Sequence, residues 1–215
     1  MIGLYVTVPI ACFRKGQARE FFETEVLPPP STCYGFLLSL VGETDRKQHI
    51  GCRVTAGTFS RAMPSVVLRT VWRVKNKPLG SSGNTRPDYQ QLLTDVRLLI
   101  WLDSAEEKEQ DNRLEDRVVL AMKHPEKIAR FGGLALGEST HMVNDVCIFD
   151  PDQHEVKTND QFQLFIKKER GRLTLPVWVD HVGSAATIFV TGDLADSGVK
   201  PPDVDRLPKI LDTAL

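Results

Sequence analysis

The 215-residue sequence predicts one α+β domain with a smaller β-rich part after about Asp150. Three observations carry that expectation. Short runs with a period of two recur along the chain, two amphipathic helical segments lie between them, and segments rich in Gly and Pro separate the elements. The expected division is 1–150 for the main domain and 151–215 for the β-rich extension.

Ile2, Leu4, Val6 and Val8 fall on one face of a first strand. A loop with Phe13, Arg14, Lys15, Gly16 and Arg19 follows. Three prolines, Pro28 to Pro30, then hold the chain extended before a helix. Ser31 or Thr32 is the expected N-cap; Leu37, Leu38, Leu40 and Val41 form the apolar face, and Gly42 is the expected stop. A second strand is predicted from His49 to Ala56. Ser65 to Lys75 alternates cleanly, with Leu68, Thr70, Trp72 and Val74 on one side and Val67, Arg69, Val71, Arg73 and Lys75 on the other. Asn76 to Gln91 is polar and rich in Gly, Pro and Ser, and predicts a long basic loop. Leu92 to Asp103 returns as an apolar strand, so the whole stretch reads as a hairpin with an extended tip. Asn112 to Lys123 predicts a second helix, buried through Leu114, Val118 and Met122, and a short helical turn opens at Pro125. Gly132 to Ser139 (GGLALGES) is a glycine-bearing loop before a strand near Val143 to Phe149. Strands at Phe162–Lys167, Arg172–Trp178 and Thr187–Val190 follow, with a peripheral tail expected from Asp193.

Composition excludes several classes. Hydrophobic residues make up 41% and charged residues 26%, which is globular usage rather than disorder or coiled coil. No apolar run reaches the ~20 residues that span a bilayer, and the N-terminus lacks a basic n-region and a cleavage site, so a soluble cytosolic chain with no membrane partner is expected. Net charge is −1, yet Arg61–Arg97 holds seven basic residues against two acidic, and Asp103–Asp116 seven acidic against two basic. These are either a basic face for RNA and an acidic face for a protein, or two solvated stretches. Cys12, Cys33, Cys52 and Cys147 form no CxxC and have no His at zinc spacing, so buried thiols are expected, with neither metal nor cofactor.

Three constellations bear on chemistry. The glycine loop has neither P-loop nor dinucleotide spacing, and is either a tight turn or a place where backbone approaches a phosphate or base. Asp180, His181 and Ser184 are too close in sequence to converge as a triad. Lys123 and His124 either serve metal-independent RNA cleavage, together with Tyr34, or are cations at a helix C-terminus.

Three segments, in order, carry a family resemblance. The stretch PPPSTCYGFLLSLVGE resembles the proline-flanked helix of the Cas-five family of CRISPR-associated proteins in the RAMP superfamily, through Pro30, Ser31, Thr32, Gly35, Leu37 and Gly42. RFGGLALGEST resembles that family's glycine-rich loop at Leu136, Gly137, Glu138 and Ser139, and Leu175–Ala185 (LPVWVDHVGSA) resembles its DevS branch, found in type I-B-like systems. The resemblance implies a ferredoxin-like (RRM-related) domain with a protruding β-hairpin thumb. It implies a subunit that caps the 5′ handle of CRISPR RNA within the Cascade effector, beside a backbone subunit and the large PAM-reading subunit. Target DNA would be met only indirectly. One variant branch of the family cuts precursor CRISPR RNA with a Tyr, Lys and His set, for which Tyr34, Lys123 and His124 are the candidates; the DevS-like features point to the branch where another subunit does this, so no catalysis is expected.

Holding single-stranded RNA requires charge neutralisation, stacking and close backbone approach. Arg14, Lys15 and Arg19 offer the first, with Arg130 beside the glycine loop and Arg69, Arg73, Lys75, Lys77 and Arg86 on the thumb. Phe13 and Tyr34 offer stacking or, equally, core packing. Gly132, Gly133 and Gly137 allow close approach, and Ser31 or Thr32 would place helix N–H groups against a phosphate.

Overall fold

A computed structural model describes residues 1–16, 18, 21–59, 62–72, 78, 80–151, 162–181 and 185–212. Its centre is β5 (Thr85–Asp103), a 19-residue strand. The C-terminal half of β5 lies between β1 (Ile2–Ala11) and β3 (Arg53–Thr58), antiparallel to both. The apolar run of this half is buried on both faces: Leu98, Ile100 and Leu102 enter the core beneath the helices, while Leu99 and Trp101 enter a second cluster with Phe59, Phe162 and Leu164. A run without alternation is the mark of such a strand.

β6 (Asp145–Ile148) pairs with the outer side of β1, which makes the sheet order β6-β1-β5-β3. Beyond β3 the same sheet continues through β7 (Gln163–Lys167), β9 (Ile188–Asp196) and β8 (Leu173–Trp178). The tail expected to be peripheral is structural. β9 runs to Asp196, and Leu207 and Ile210 are fully buried, with Val54 and Ile210 hydrogen-bonded to Pro208 and Cys52 across the edge of β3. Prolines and acids hid two anchoring apolar residues.

The N-terminal half of β5 leaves the body as a hairpin with β4 (Met63–Trp72), and β2 (Phe21–Phe22) lies parallel on its other side. The expected loop over Asn76–Gln91 is therefore too long, since the strand resumes at Thr85. Two of its polar residues are buried: Asp88 lies 3.1 Å from Arg86 of the same strand, and Gln90 donates to the distant Glu138. Where the hairpin joins the body, Asp95 has φ +53°, the one positive φ outside glycine among the described residues, and its carboxylate pairs with Arg97 at 3.1 Å. Arg19, Arg61, Arg73, Lys75, Lys77 and Ser184 lie outside the described residues.

α1 (Pro30–Leu40) starts one turn-position earlier than the expected caps. Pro30 is its first residue, where a missing N–H costs nothing, and the Pro29 carbonyl receives the N–H groups of Thr32 and Cys33. Ser31 and Thr32 are thus inside the first turn and cap nothing. Gly42 ends the helix as expected: at φ +69°, it donates to Ser39 while Glu43 donates to Leu38, the paired bonds of a Schellman stop. α2 (Leu114–Lys123) is capped from a distance, with the Leu114 N–H on the Glu107 carboxylate and the Glu115 N–H on Ser104. Both helices pack on one face of the sheet. Among the described residues no helix is long and apolar enough to cross a membrane. Cys12, Cys33 and Cys52 are buried and Cys147 half-buried, all as free thiols.

Candidate nucleic-acid interface

An open groove of about 720 Å³ runs along the outer side of α1. One wall is the helix face with Ser31, Gly35 and Ser39. The other is formed by Ala129–Phe131 and by the end of β8 at Trp178. Gly35 decides its depth: a Cβ there would meet nothing within 4 Å, so bare backbone faces the open space. Gly42 decides its width, because a Cβ there would lie 2.3 Å from the Ala129 carbonyl oxygen. The loop from α2 can lie this close only over a glycine.

Phe131 stands at the rim with a relative exposure of 105%, and exposed Arg130 next to it makes no ion pair among the described residues. The sequence reading took Arg130 and passed over Phe131; an aromatic residue directly before two glycines in a polar turn was the available signal. Arg46 lies over the Trp178 ring at 4.7 Å and donates to the Val179 and Asp180 carbonyls. Tyr34 lies at the groove floor but is only 3% exposed, and its hydroxyl donates to the Arg46 carbonyl at 2.9 Å. Burial pushes its phenol well above the ordinary range. Phe13 is 2% exposed. Of the two readings for this pair, core packing is the observed one, and neither ring offers a face for stacking.

A second cluster lies at the root of the hairpin. The Arg14 guanidinium sits 4.2 Å from the Phe22 ring centroid, and Arg69 approaches the same ring at 5.8 Å. Arg69 is held by Glu138 of the glycine loop at 3.2 Å and donates to Gln90, whose amide donates to Glu138 at 2.8 Å. The expected free phosphate ligand Arg69 is thus the hairpin's tie to the glycine loop. Lys15 lies 3.9 Å from Glu23.

The glycine loop folds on itself through an Ala135–Met142 bridge, with Leu136 in the core. His141 fixes it: its Nδ1 accepts the N–H groups of Cys12 and Glu138, both at 3.2 Å, which leaves the proton on Nε2. Burial holds this imidazole below its usual pKa, against the nearby Glu138 carboxylate. The three glycines differ. Gly132, at φ +78°, faces open space, Gly133 faces only the end of Met142, and Gly137 combines φ +102° with the Cys12 carbonyl 2.8 Å from a would-be Cβ. Gly137→Val should therefore cost roughly 1–3 kcal/mol of stability, whereas Gly132→Asn, at a left-handed position in open space, should leave it near wild type. Thermal melts of the two variants check this; equal losses would mean that the loop does not depend on the Gly137 conformation.

Lys123 and His124 close α2 and are not among the residues lining the groove, and His124 Nδ1 lies 3.3 Å from Glu126. The Tyr34 hydroxyl is turned to Arg46 instead.

No family model matches the chain. A curated protein of Myxococcus xanthus (strain DK1622), CRISPR-associated protein Cas5, is 51% identical over 212 residues, covering 98% of this chain and 97% of the relative. The chain belongs to the Cas5 family. Solved structures share the fold. One from a CRISPR RNA-guided surveillance complex aligns with TM-score 0.60 at 12% identity, over 90% of this chain and 89% of the other. A Cas protein crystal structure aligns with TM-score 0.52 at 15% identity over 97% of both chains. Both support the α+β architecture of a Cas5 protein, with its mostly antiparallel sheet and two helices. In this Cas5 chain Gly35 and Gly42 shape the groove and Glu138 holds the hairpin, and all three lie within the motif segments.

Proposed function

We propose that this Cas5 chain is the non-catalytic subunit of a type I Cascade effector, of the I-B kind, that caps the 5′ handle of the guide RNA. In this reading it contacts the adjacent backbone subunit and the large PAM-reading subunit, in antiviral defence or in guided transposition. The observation that carries the reading is the α1 groove: bare backbone at Gly35, a fully exposed aromatic ring at Phe131 and an exposed cation at Arg130 are what a splayed nucleotide needs. The element order β1-α1-β3-β5-α2-β6, with sheet order β6-β1-β5-β3, supports a ferredoxin-like core whose thumb is the β4–β5 hairpin. The buried Tyr34 hydroxyl supports a role without cleavage, since it is committed to the Arg46 carbonyl.

The test is titration of the chain with its own repeat-derived handle RNA at several salt concentrations. Arg130→Ala should weaken binding and lower the salt slope by about 0.7, the value for one single-strand phosphate contact. Phe131→Ala should weaken binding with the slope unchanged. Repeat RNA incubated with the chain without metal should stay intact. Site-specific cutting that His124→Ala abolishes would replace this reading with an endoribonuclease.

A further inference from the structure

Two cations line the α1 groove, Arg130 and Arg46, and the second is built into its place. Arg46 sits in the turn after α1, which three hydrogen bonds fix. The Asp45 N–H donates to the Glu43 carboxylate at 2.7 Å, the Lys47 N–H to the Asp45 carboxylate at 2.8 Å, and the Tyr34 hydroxyl to the Arg46 carbonyl at 2.9 Å. The guanidinium lies 4.7 Å from the centroid of the Trp178 ring and donates to the Val179 and Asp180 carbonyls. Ring and carbonyls are neutral, so they hold the group without cancelling its charge. Nearby carboxylates are engaged elsewhere: Asp180 lies 2.9 Å from His181, and Glu43 is paired with Arg117. A guanidinium has five N–H groups, and two are committed here, which leaves three for a ligand. Trp178 adds a second observation. It lines the same groove at 3% exposure, and its buried indole N–H has no hydrogen-bond acceptor among the described residues. A buried donor without an acceptor is uncommon and costly, and this one lies in a groove wall under a charged group.

We infer that Arg46 and Trp178 form a phosphate-binding site at the β8 end of the groove, which takes a second phosphodiester of the strand that Arg130 meets first. The inference rests on reading the groove as the RNA-binding surface and gives that surface a second anchor. Charge and geometry decide the ligand class. A planar guanidinium offers parallel N–H groups that match two oxygens of a phosphate. Its side chain is already locked by the Trp178 ring and two carbonyls, so little rotamer entropy is lost when the ligand arrives. A protein carboxylate would satisfy the same donors. The exposed Phe131 ring and Arg130 in the same groove favour a nucleotide strand, which brings a base and further phosphates with it.

Salt-dependent titration with handle RNA tests it. Arg46→Gln removes the charge and keeps donors; it should weaken binding about tenfold or more and lower the salt slope by about 0.7. Arg46→Lys should keep the wild-type slope while losing part of the affinity, since it restores the charge and not the planar fork. A brace for β8 would behave differently, because charge alone does not rebuild two carbonyl contacts. An unchanged slope in Arg46→Gln overturns the proposal and leaves Arg46 as such a brace or as the ligand of a protein carboxylate. Handle RNAs that each carry one neutral methylphosphonate linkage then locate the phosphates. The Arg46→Gln loss should vanish at one linkage and the Arg130→Ala loss at another; one linkage serving both overturns the second anchor. The indole N–H resonance of Trp178, identified through Trp178→Phe, should shift when handle RNA is added to the wild-type chain. An unmoved resonance removes Trp178 from the site. Failure of the handle reading looks different: an unrelated single strand would bind as tightly as handle RNA, with the Arg46 slope effect intact. A wild-type chain that binds neither strand overturns both.

Discussion

Glu107→Ala is expected to cost about 3–5 kcal/mol, because two buried donors lose their acceptor at about 1–3 kcal/mol each. The Glu107 carboxylate is fully buried and has two partners: His49 Nδ1 at 2.7 Å and the Leu114 N–H, at 3.2 Å from each of its oxygens. Arg117 approaches the other side of the same imidazole, Nη1 to Nε2 at 3.0 Å, and also binds Glu43. A guanidinium can only donate, so Nε2 accepts and Nδ1–H donates to Glu107. Alanine would strand the first N–H of α2 and a buried imidazole N–H together, which gives the loss its size. Glu107→Gln keeps an acceptor for one of these donors and should recover part of it. Urea denaturation of both variants measures the effect. A loss below about 1 kcal/mol for alanine would mean that water replaces the carboxylate without penalty.

Gly35→Leu should move stability and binding in opposite directions. Within a helix, leucine is favoured over glycine by up to about 1 kcal/mol. Beyond its chain neighbours and the helix's own backbone, no atom of the described residues lies within 4 Å of the added Cβ, so no clash at that atom offsets the gain. The melting temperature should therefore rise. The leucine side chain occupies the groove, and handle RNA affinity should fall about tenfold or more, since a close backbone approach is lost altogether. A variant that melts higher and binds RNA as well as the wild type would remove the groove from the RNA-binding surface.

Where an element's stabilising contacts are local or periodic, the sequence showed it. The Gly42 stop, the alternation of Val67, Leu68, Arg69 and Thr70, and the doubly buried run from Leu98 to Leu102 could all be read directly. Elements held by distant partners were misjudged. Thr85–Gln91 looks like a loop because Asp88 and Gln90 are polar, yet they are satisfied by Arg86, Arg69 and Glu138, the last some 50 residues away in the chain. Ser31 and Thr32 look like caps because proline at the first helical position leaves no capping signal of its own. Leu207 and Ile210 anchor a tail whose composition looks peripheral. In the site, Arg130 and the glycines were legible by type. Phe131 was legible only through its place before two glycines in a polar turn, and Phe13 and Tyr34 were ambiguous because residue type alone does not separate a buried ring from an exposed one.

Because β5 runs through both the core and the hairpin, any bend at their junction would swing the hairpin as a lever. Ten extended residues, Thr85 to Thr94, make an arm of about 33 Å at ~3.3 Å per residue. A rotation of only ~10° at Asp95 would carry the tip roughly 6 Å, about the spacing of successive phosphates in an extended single strand. The left-handed backbone at Asp95, clasped by Arg97, sits at that fulcrum, and the Arg69–Glu138 tie fastens the arm to the glycine loop at the level of Asp88, about two thirds of the way along. Torque applied at the tip by a docked partner is therefore delivered to the glycine loop, and through it to the Phe131 rim of the groove.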